Sequence, residues 1–188
     1  HTAMLIAIAQ LLAERRAQRM GRPQKVTLVD KANVFTSMAF MRKIFYEVAK
    51  EFPDVTWDKM LVDAMTVRMV KNPRSLDTIV ATNLHADILS DLAGALAGSL
   101  GVAPTANIDP ERRFPSMFEP IHGSAPDIAG RGIANPIGAI WAAALMLDHL
   151  GDTDAGRELV GALGRVMAEG RVRTPVLGGT ATTAEMAM

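Results

Sequence analysis

Short apolar runs, too brief to be helices, alternate along this chain with longer segments whose apolar residues recur at helical spacing. That alternation restricts the fold to layered α/β forms with a partly parallel sheet. Val26-Thr27-Leu28-Val29 and Asp77-Thr78-Ile79-Val80-Ala81-Thr82 read as buried strands. Met117 to His122 reads as a strand entering a Gly/Ser/Pro loop that reaches Gly132, and Leu61 to Met65 as a strand end leading into a helix closed by Asn72-Pro73. Helices are predicted from near the first residue to a break at Gly21-Arg22-Pro23-Gln24, and over 40–52 with Met41, Ile44, Phe45 and Val48 facing inward. Three more are predicted over 84–100, 137–150 and 153–169, the first capped by Asn83 and ended by Gly101. Residues 104–115 are expected to be an irregular excursion and 178–183 a turn-like tail.

At 188 residues the chain can bury a sizeable core. Its 49% hydrophobic and 21% charged residues exclude intrinsic disorder. Twenty Lys+Arg balance twenty Asp+Glu, so no global charge draws the chain to nucleic acid or to an anionic membrane. One Tyr and two Trp provide no stacking platform for single strands. The absence of Cys removes disulfides, thiolate zinc sites and thiol catalysis, and fits a reducing compartment. No apolar run is long enough to span a bilayer, and the apolar opening lacks the basic start of a signal peptide. A cytoplasmic location is therefore expected.

Four groups of residues could carry chemistry. Asp87 and Asp91, four apart in Asn83-Leu84-His85-Ala86-Asp87-Ile88-Leu89-Ser90-Asp91, fall on one helical face, with Leu84, Ile88, Leu89 and Leu92 free to bury elsewhere. Like charges at that spacing repel unless a cation lies between them, and oxygen ligands without Cys suit Mg²⁺ or Mn²⁺. A solvated acidic face near a helix N-terminus is the plain alternative. Asp63 stands in an otherwise apolar run, where a carboxylate needs a metal, a cap role or a basic partner. Lys31 directly follows the strand 26–29, at the sheet edge where α/β proteins place functional groups. It is either a general base or a surface lysine in a turn. The run Glu119 to Pro136 is small and turn-rich, so its backbone can approach a ligand closely. It is not a G-x-G-x-x-G turn, since Asn135 stands where the third Gly would be, and no Walker, G-x-S-x-G or H-E-x-x-H pattern occurs.

Val29-Asp30-Lys31-Ala32-Asn33-Val34, Val62-Asp63-Ala64-Met65, Asp87-Ile88-Leu89-Ser90-Asp91 and the run Phe118 to Pro136 occur in an order that resembles the metal-dependent β-decarboxylating dehydrogenases. The resemblance covers Val26 to Thr183. Asn107 to Pro120 and Ile140 to Gly151 look like the tartrate/D-malate branch more than the isopropylmalate branch. It implies a two-lobed isocitrate/isopropylmalate dehydrogenase-like fold with its N-terminal part missing. Residues 1–98 would form a metal/substrate and dimer lobe, and 99–188 the C-terminal half of the cofactor lobe.

The implied activity is NAD-dependent, Mg²⁺- or Mn²⁺-dependent oxidation, with decarboxylation, of a hydroxy acid such as D-malate or tartrate. The alternatives are isopropylmalate oxidation, or a non-catalytic dimerising or nucleotide-binding fragment. Asp87 and Asp91 would bind the metal in one subunit, with Asp63 completing the site from the other subunit of a homodimer. Lys31, acting catalytically with Asp63, would take part in deprotonating the substrate hydroxyl. Glu119, His122, Gly123, Ser124, Ala125, Pro126, Asp127 and Asn135 would form the adenosine site, with Asp127 on the ribose favouring NAD over NADP. Relative to the family pattern, His85-Ala86 replaces Phe-Gly, which would put a titratable ring beside the metal. The C-terminus is expected to lack a final helix. The missing N-terminal part would hold the substrate-binding arginines and the catalytic tyrosine, and Tyr46, the only Tyr, matches no motif.

Overall fold

The computed structural model describes residues 2–21, 24–98 and 100–188, so Arg22 and Pro23 of the predicted helix break lie outside the described residues. The chain divides into two compact units, His1–Ala93 and Gly94–Met188. The division falls inside a continuous helix and not at 98/99.

The first unit is built on a parallel three-stranded sheet with β1 (Lys25–Asp30) between β2 (Thr56–Leu61) and β3 (Thr78–Ala81). Flanked on both sides and covered on both faces, β1 is buried at every position after Lys25, which is why its sequence is a near-continuous apolar run. Strand alternation divides its side chains between two layers. Val26 and Leu28 join Ile6, Ala9 and Ala13 of α1 (Thr2–Met20) and Phe45 and Val48 of α2 (Thr36–Ala49) in one core. Val29 faces the other way, onto Met65 and Met69 of α3 (Val62–Lys71) and Leu89 of α4 (Asn83–Leu96).

Helix α2 begins at Thr36 and stops at Ala49, ahead of the predicted 40–52, while its four inward residues are those expected. Helix α4 takes Asn83 as its first residue, so Asn83 is not an external cap, and it ends at Leu96 with Gly98 at φ +111° instead of running to Gly101. A partly buried Arg–carboxylate contact ties α1 to the sheet, where Arg16 Nε donates to Asp77 Oδ1 ahead of β3 (2.7 Å).

In the second unit β4 (Pro104–Asn107) pairs antiparallel with β5 (Met117–Pro120), so the first residues of the predicted excursion are a strand. The rest of the excursion is ordered by Asp109, whose carboxylate accepts from the backbone N–H groups of Glu111, Arg113 and Phe114. Partial desolvation pushes that carboxyl up, but the three N–H donors and Arg113 together hold it below the ordinary range.

Two helices pack against each other, α5 (Ile137–Leu150) and α6 (Thr153–Glu169), both at their predicted bounds, and α5 also packs against the hairpin. They are so legible because their ends are explicit: Gly151 closes α5 at φ +101° and Asp152 Oδ1 accepts from Ala155 N–H to open α6. Gly156 lets α6 approach α5, since a Cβ there would meet the Ala144 carbonyl oxygen at 3.0 Å. Gly156→Val is therefore expected to lower unfolding free energy by ~1–3 kcal/mol, read as a lower urea midpoint. A midpoint at the wild-type value would show that the helices can separate freely. Residues 178–182 form no helix or strand, in keeping with a turn-like tail, and Thr183–Ala187 then form the short helix α7.

Candidate active site

Lys31 is the first residue beyond the C-terminal end of the central strand, and Asp63 lies in the first turn of α3, immediately beyond the neighbouring strand β2. Parallel pairing of β1 and β2 brings those two strand ends side by side, with Asp30 opposite Leu61. Lys31 Nζ then donates to Asp63 Oδ1 at 2.5 Å. That hydrogen bond, a second from the Asp63 backbone, and the lysine charge hold the Asp63 carboxyl below its ordinary value. The carboxylate itself is 63% exposed. The apolar run around Asp63 therefore does not bury it: Met65 turns inward while Asp63 and Ala64 face solvent, and its basic partner is Lys31.

Helix α4 places Asp87 and Asp91 together on one exposed face, and neither carboxylate has an ion-pair or hydrogen-bond partner among the described residues. His85 and Leu89 share the opposite face and are buried against the sheet. His85 therefore does not stand beside the two carboxylates as expected, and its Nδ1 is buried without a hydrogen-bond partner. Leu84 and Ile88, expected to be available for burial, are 65% and 53% exposed, because only the Leu89–Leu92 side of the helix meets the core. The result is an apolar stripe beside two unpaired carboxylates. Among the described residues no three His, Asp or Glu side chains gather around one point, so a single chain does not bring Asp63 to Asp87 and Asp91.

The second unit contains a cavity of about 720 Å³ between the loop after β5 and the C-terminal segment. His122, Gly123, Ser124, Ala125 and Asn135 line it, while Glu119, Pro126 and Asp127 do not. Glu119 is taken up in the β4–β5 pairing opposite Thr105, and Asp127 is exposed outside the cavity. Sequence reading missed Ile128, Ile133 and Val176, which give the wall its apolar character, and Thr183, which also lines it. The loop curls round the space through left-handed residues at Ala125 (φ +43°), Gly130 (φ +75°) and Gly132 (φ +64°). A non-glycine residue held there stores roughly 1–3 kcal/mol of strain, as ligand-binding loops commonly do. Asn135 Oδ1 accepts from Ile137 N–H at the start of α5 (2.9 Å), leaving Nδ2 buried without a partner.

Thr183 straps the loop from behind, its N–H donating to Gly132 O (2.8 Å) and its Oγ1 to Ala134 O (2.6 Å). A capping box anchors this strap: Glu185 Oε2 accepts from Thr182 N–H, while Thr182 Oγ1 accepts from Glu185 N–H. Those hydrogen bonds, from the Thr182 backbone and then its hydroxyl, hold the Glu185 carboxyl below 4.5. A carboxyl depressed on folding stabilises the fold fully above its unfolded value. That contribution is lost as pH falls through the lower folded value. Hydrogen exchange at the Thr182 and Thr183 N–H groups is thus expected to accelerate selectively below pH 4.5 in the wild type but not in Glu185→Gln. Equal acceleration in both would contradict the strap.

The profile of the isocitrate/isopropylmalate dehydrogenases matches residues 2–188. The chain belongs to that family. It is 68% identical over 168 residues to a probable tartrate dehydrogenase/decarboxylase of Agrobacterium vitis, covering 88% of this chain and 47% of that protein. It is 46% identical over 174 residues to the D-malate dehydrogenase [decarboxylating] of Escherichia coli K12, covering 89% of this chain and 48% of that one. The crystal structure of isocitrate dehydrogenase from Methylococcus capsulatus superposes with a TM-score of 0.88 at 43% identity, over 100% of this chain and 55% of that chain. This family member thus has an isocitrate dehydrogenase-like α/β fold and spans about half the length of the relatives it matches. No helix among its described residues is long and apolar enough to cross a membrane.

Proposed function

We propose that the chain is the C-terminal portion of an NAD- and Mg²⁺- or Mn²⁺-dependent enzyme that oxidises and decarboxylates D-malate or tartrate. The observation that carries this reading is the Lys31–Asp63 pair at the C-terminal edge of a parallel sheet, the position where α/β enzymes act. The tartrate and D-malate dehydrogenase relatives support the reaction class.

Asp87 and Asp91 are exposed, unpaired hard-oxygen donors, which suits Mg²⁺ or Mn²⁺. One chain supplies two carboxylates to that point and holds Asp63 apart, so the third comes from a second copy, with Leu84 and Ile88 as apolar contact beside it. The cavity is of small-ligand size and mainly apolar, and the orphaned Asn135 Nδ2 is a donor awaiting an acceptor, which suits the adenosine end of NAD.

In this arrangement Asp87 and Asp91 would hold the dication. Lys31 Nζ, as the neutral amine, takes up the hydroxyl proton and becomes the ammonium that Asp63 holds in place. When bound, the dication supplies Lewis-acid stabilisation of negative charge on the substrate oxygens, and NAD supplies the hydride acceptor. The apolar loop wall keeps water from the nucleotide.

NADH formation from D-malate, tartrate and isopropylmalate with Mn²⁺ tests the proposal. Turnover of D-malate or tartrate ahead of isopropylmalate supports it, and turnover of isopropylmalate alone contradicts it. Asn135→Asp keeps the acceptor for Ile137 N–H but removes the Nδ2 donor. It is expected to weaken NAD binding about tenfold with little change in thermal midpoint, read by calorimetry. Undiminished affinity would take Asn135 out of the nucleotide site.

A further inference from the structure

Asp30 is the last residue of β1 and is completely buried, yet none of the roles above uses it. Its carboxylate accepts from Arg42 Nε (2.8 Å) and Arg42 Nη2 (2.6 Å) in a two-pronged fork, and Oδ1 also accepts from Ala32 N–H (2.9 Å). The hydrogen bonds that Arg42 donates to Asp30 raise the Arg42 pKa against the opposing effect of burial. These contacts bracket Lys31: its predecessor is clamped to α2 and its successor is tied back to the same carboxylate. The Lys31 N–H itself is directed at Met38 Sδ (3.0 Å), again on α2.

Strand alternation sends the Asp30 side chain towards α2 and the Lys31 side chain to the other face, where Asp63 receives it. A buried ion pair is a poor way to gain stability, since apolar residues of the same volume commonly do as well. What such a pair does supply is one fixed geometry, because a fork cannot slide as a point charge can. The next residue along the chain is the one whose geometry matters.

We propose that Asp30 and Arg42 are positioning residues for Lys31: they clamp the backbone of residues 30–32 so that Nζ is delivered to Asp63. The proposal rests on Lys31 being the proton-transfer group. Its consequence is that loosening the fork releases Lys31 without unfolding the unit.

The test uses Arg42→Lys, which keeps the charge but loses the fork, and Asp30→Asn, which keeps the shape but loses the charge. Acylation of Lys31 by an amine-directed reagent is followed by peptide mass spectrometry, with exposed Lys43 on α2 as internal reference. Freed from an ion pair of modest strength, Lys31 is expected to label about threefold faster relative to Lys43 in both variants, with native circular dichroism. In the assembled enzyme kcat is expected to fall by roughly 10–100-fold while KM for the hydroxy acid stays within about twofold. A role confined to stability would lower the yield of folded protein without that split.

Folded variants that label Lys31 at the wild-type rate would overturn the proposal. So would loss of folding in both, which would make the pair a determinant of the fold alone. Turnover surviving in Lys31→Ala would instead remove the function assigned to Lys31, and the labelling result would still decide whether the clamp exists.

Discussion

Replacing Asp87 with Asn is expected to abolish tight Mn²⁺ binding while leaving the fold unchanged. Asp87 is exposed on α4 and pairs with nothing among the described residues, so the amide costs no contact, and removing one of two like charges on that face relieves repulsion. The metal sees a larger change. An amide oxygen carries no formal charge, and a site reduced to one carboxylate per chain binds a hard dication poorly. Replacing residues that only orient the metal's ligands costs about 10–100-fold in metal affinity, so loss of a direct ligand is expected to cost ~100-fold or more. Calorimetric titration with Mn²⁺ reads it directly, with circular dichroism as the control. Unchanged affinity would reduce Asp87 and Asp91 to a solvated acidic face. Asp91→Asn should match it, whereas Asp54→Asn, on the loop before β2, should leave Mn²⁺ binding at the wild-type value.

Phe45→Ala is expected to cost ~3–5 kcal/mol, the largest stability loss of any single truncation in the first unit. Phe45 is the largest fully buried side chain, set among Ile6, Val26, Leu28, Val48 and Val55, with the Trp57 ring edge-on at 5.1 Å. Those neighbours belong to α1, β1, α2 and the β2 strand, so the cavity is walled by separate elements that cannot all close on it. Against a typical total stability of ~5–15 kcal/mol, the unit would be left marginal. Urea unfolding followed by Trp57 fluorescence measures the change. Phe40→Ala on the same helix is the control: Phe40 is 63% exposed, and its truncation should stay within about 0.5 kcal/mol. Equal costs at the two positions would mean that the core is not where the structure puts it.

The contrast between Phe45 and Phe40 shows what was readable in the chain. Helical period and strand length located α2, α5, α6 and strands β1 and β3, because burial follows periodicity when an element is covered from known sides. Strand β2 was met only at its last residue, Leu61, since its partly exposed run Thr56–Leu61 carries no continuous apolar stretch. The limits of α2 and α4 were misplaced because helix ends depend on local hydrogen bonds, not on the apolar period. Strand β4 escaped notice because Pro104-Thr105-Ala106-Asn107 carries no alternating pattern; its partner strand and α5 hold it.

At the site, Lys31, Asp63, Asp87 and Asp91 were legible as unusual charges in apolar settings or at telling spacing. Arg42 was not, since one Arg on an amphipathic helix has no local mark, and its partner Asp30 is defined only by the folded strand. In the nucleotide loop, composition pointed to the right segment but not to the side that faces the cavity. Asp127 points away while Thr183, far along the chain, closes the wall.

Anomalous diffraction at the manganese edge, from crystals of the chain grown with Mn²⁺, bears most directly on the central claim. One ion per chain is expected, held by Asp87 and Asp91 of one copy and by Asp63 of a second copy whose Lys31 stands beside it. Manganese bound elsewhere, or Asp63 remote from the ion in every copy, would contradict it.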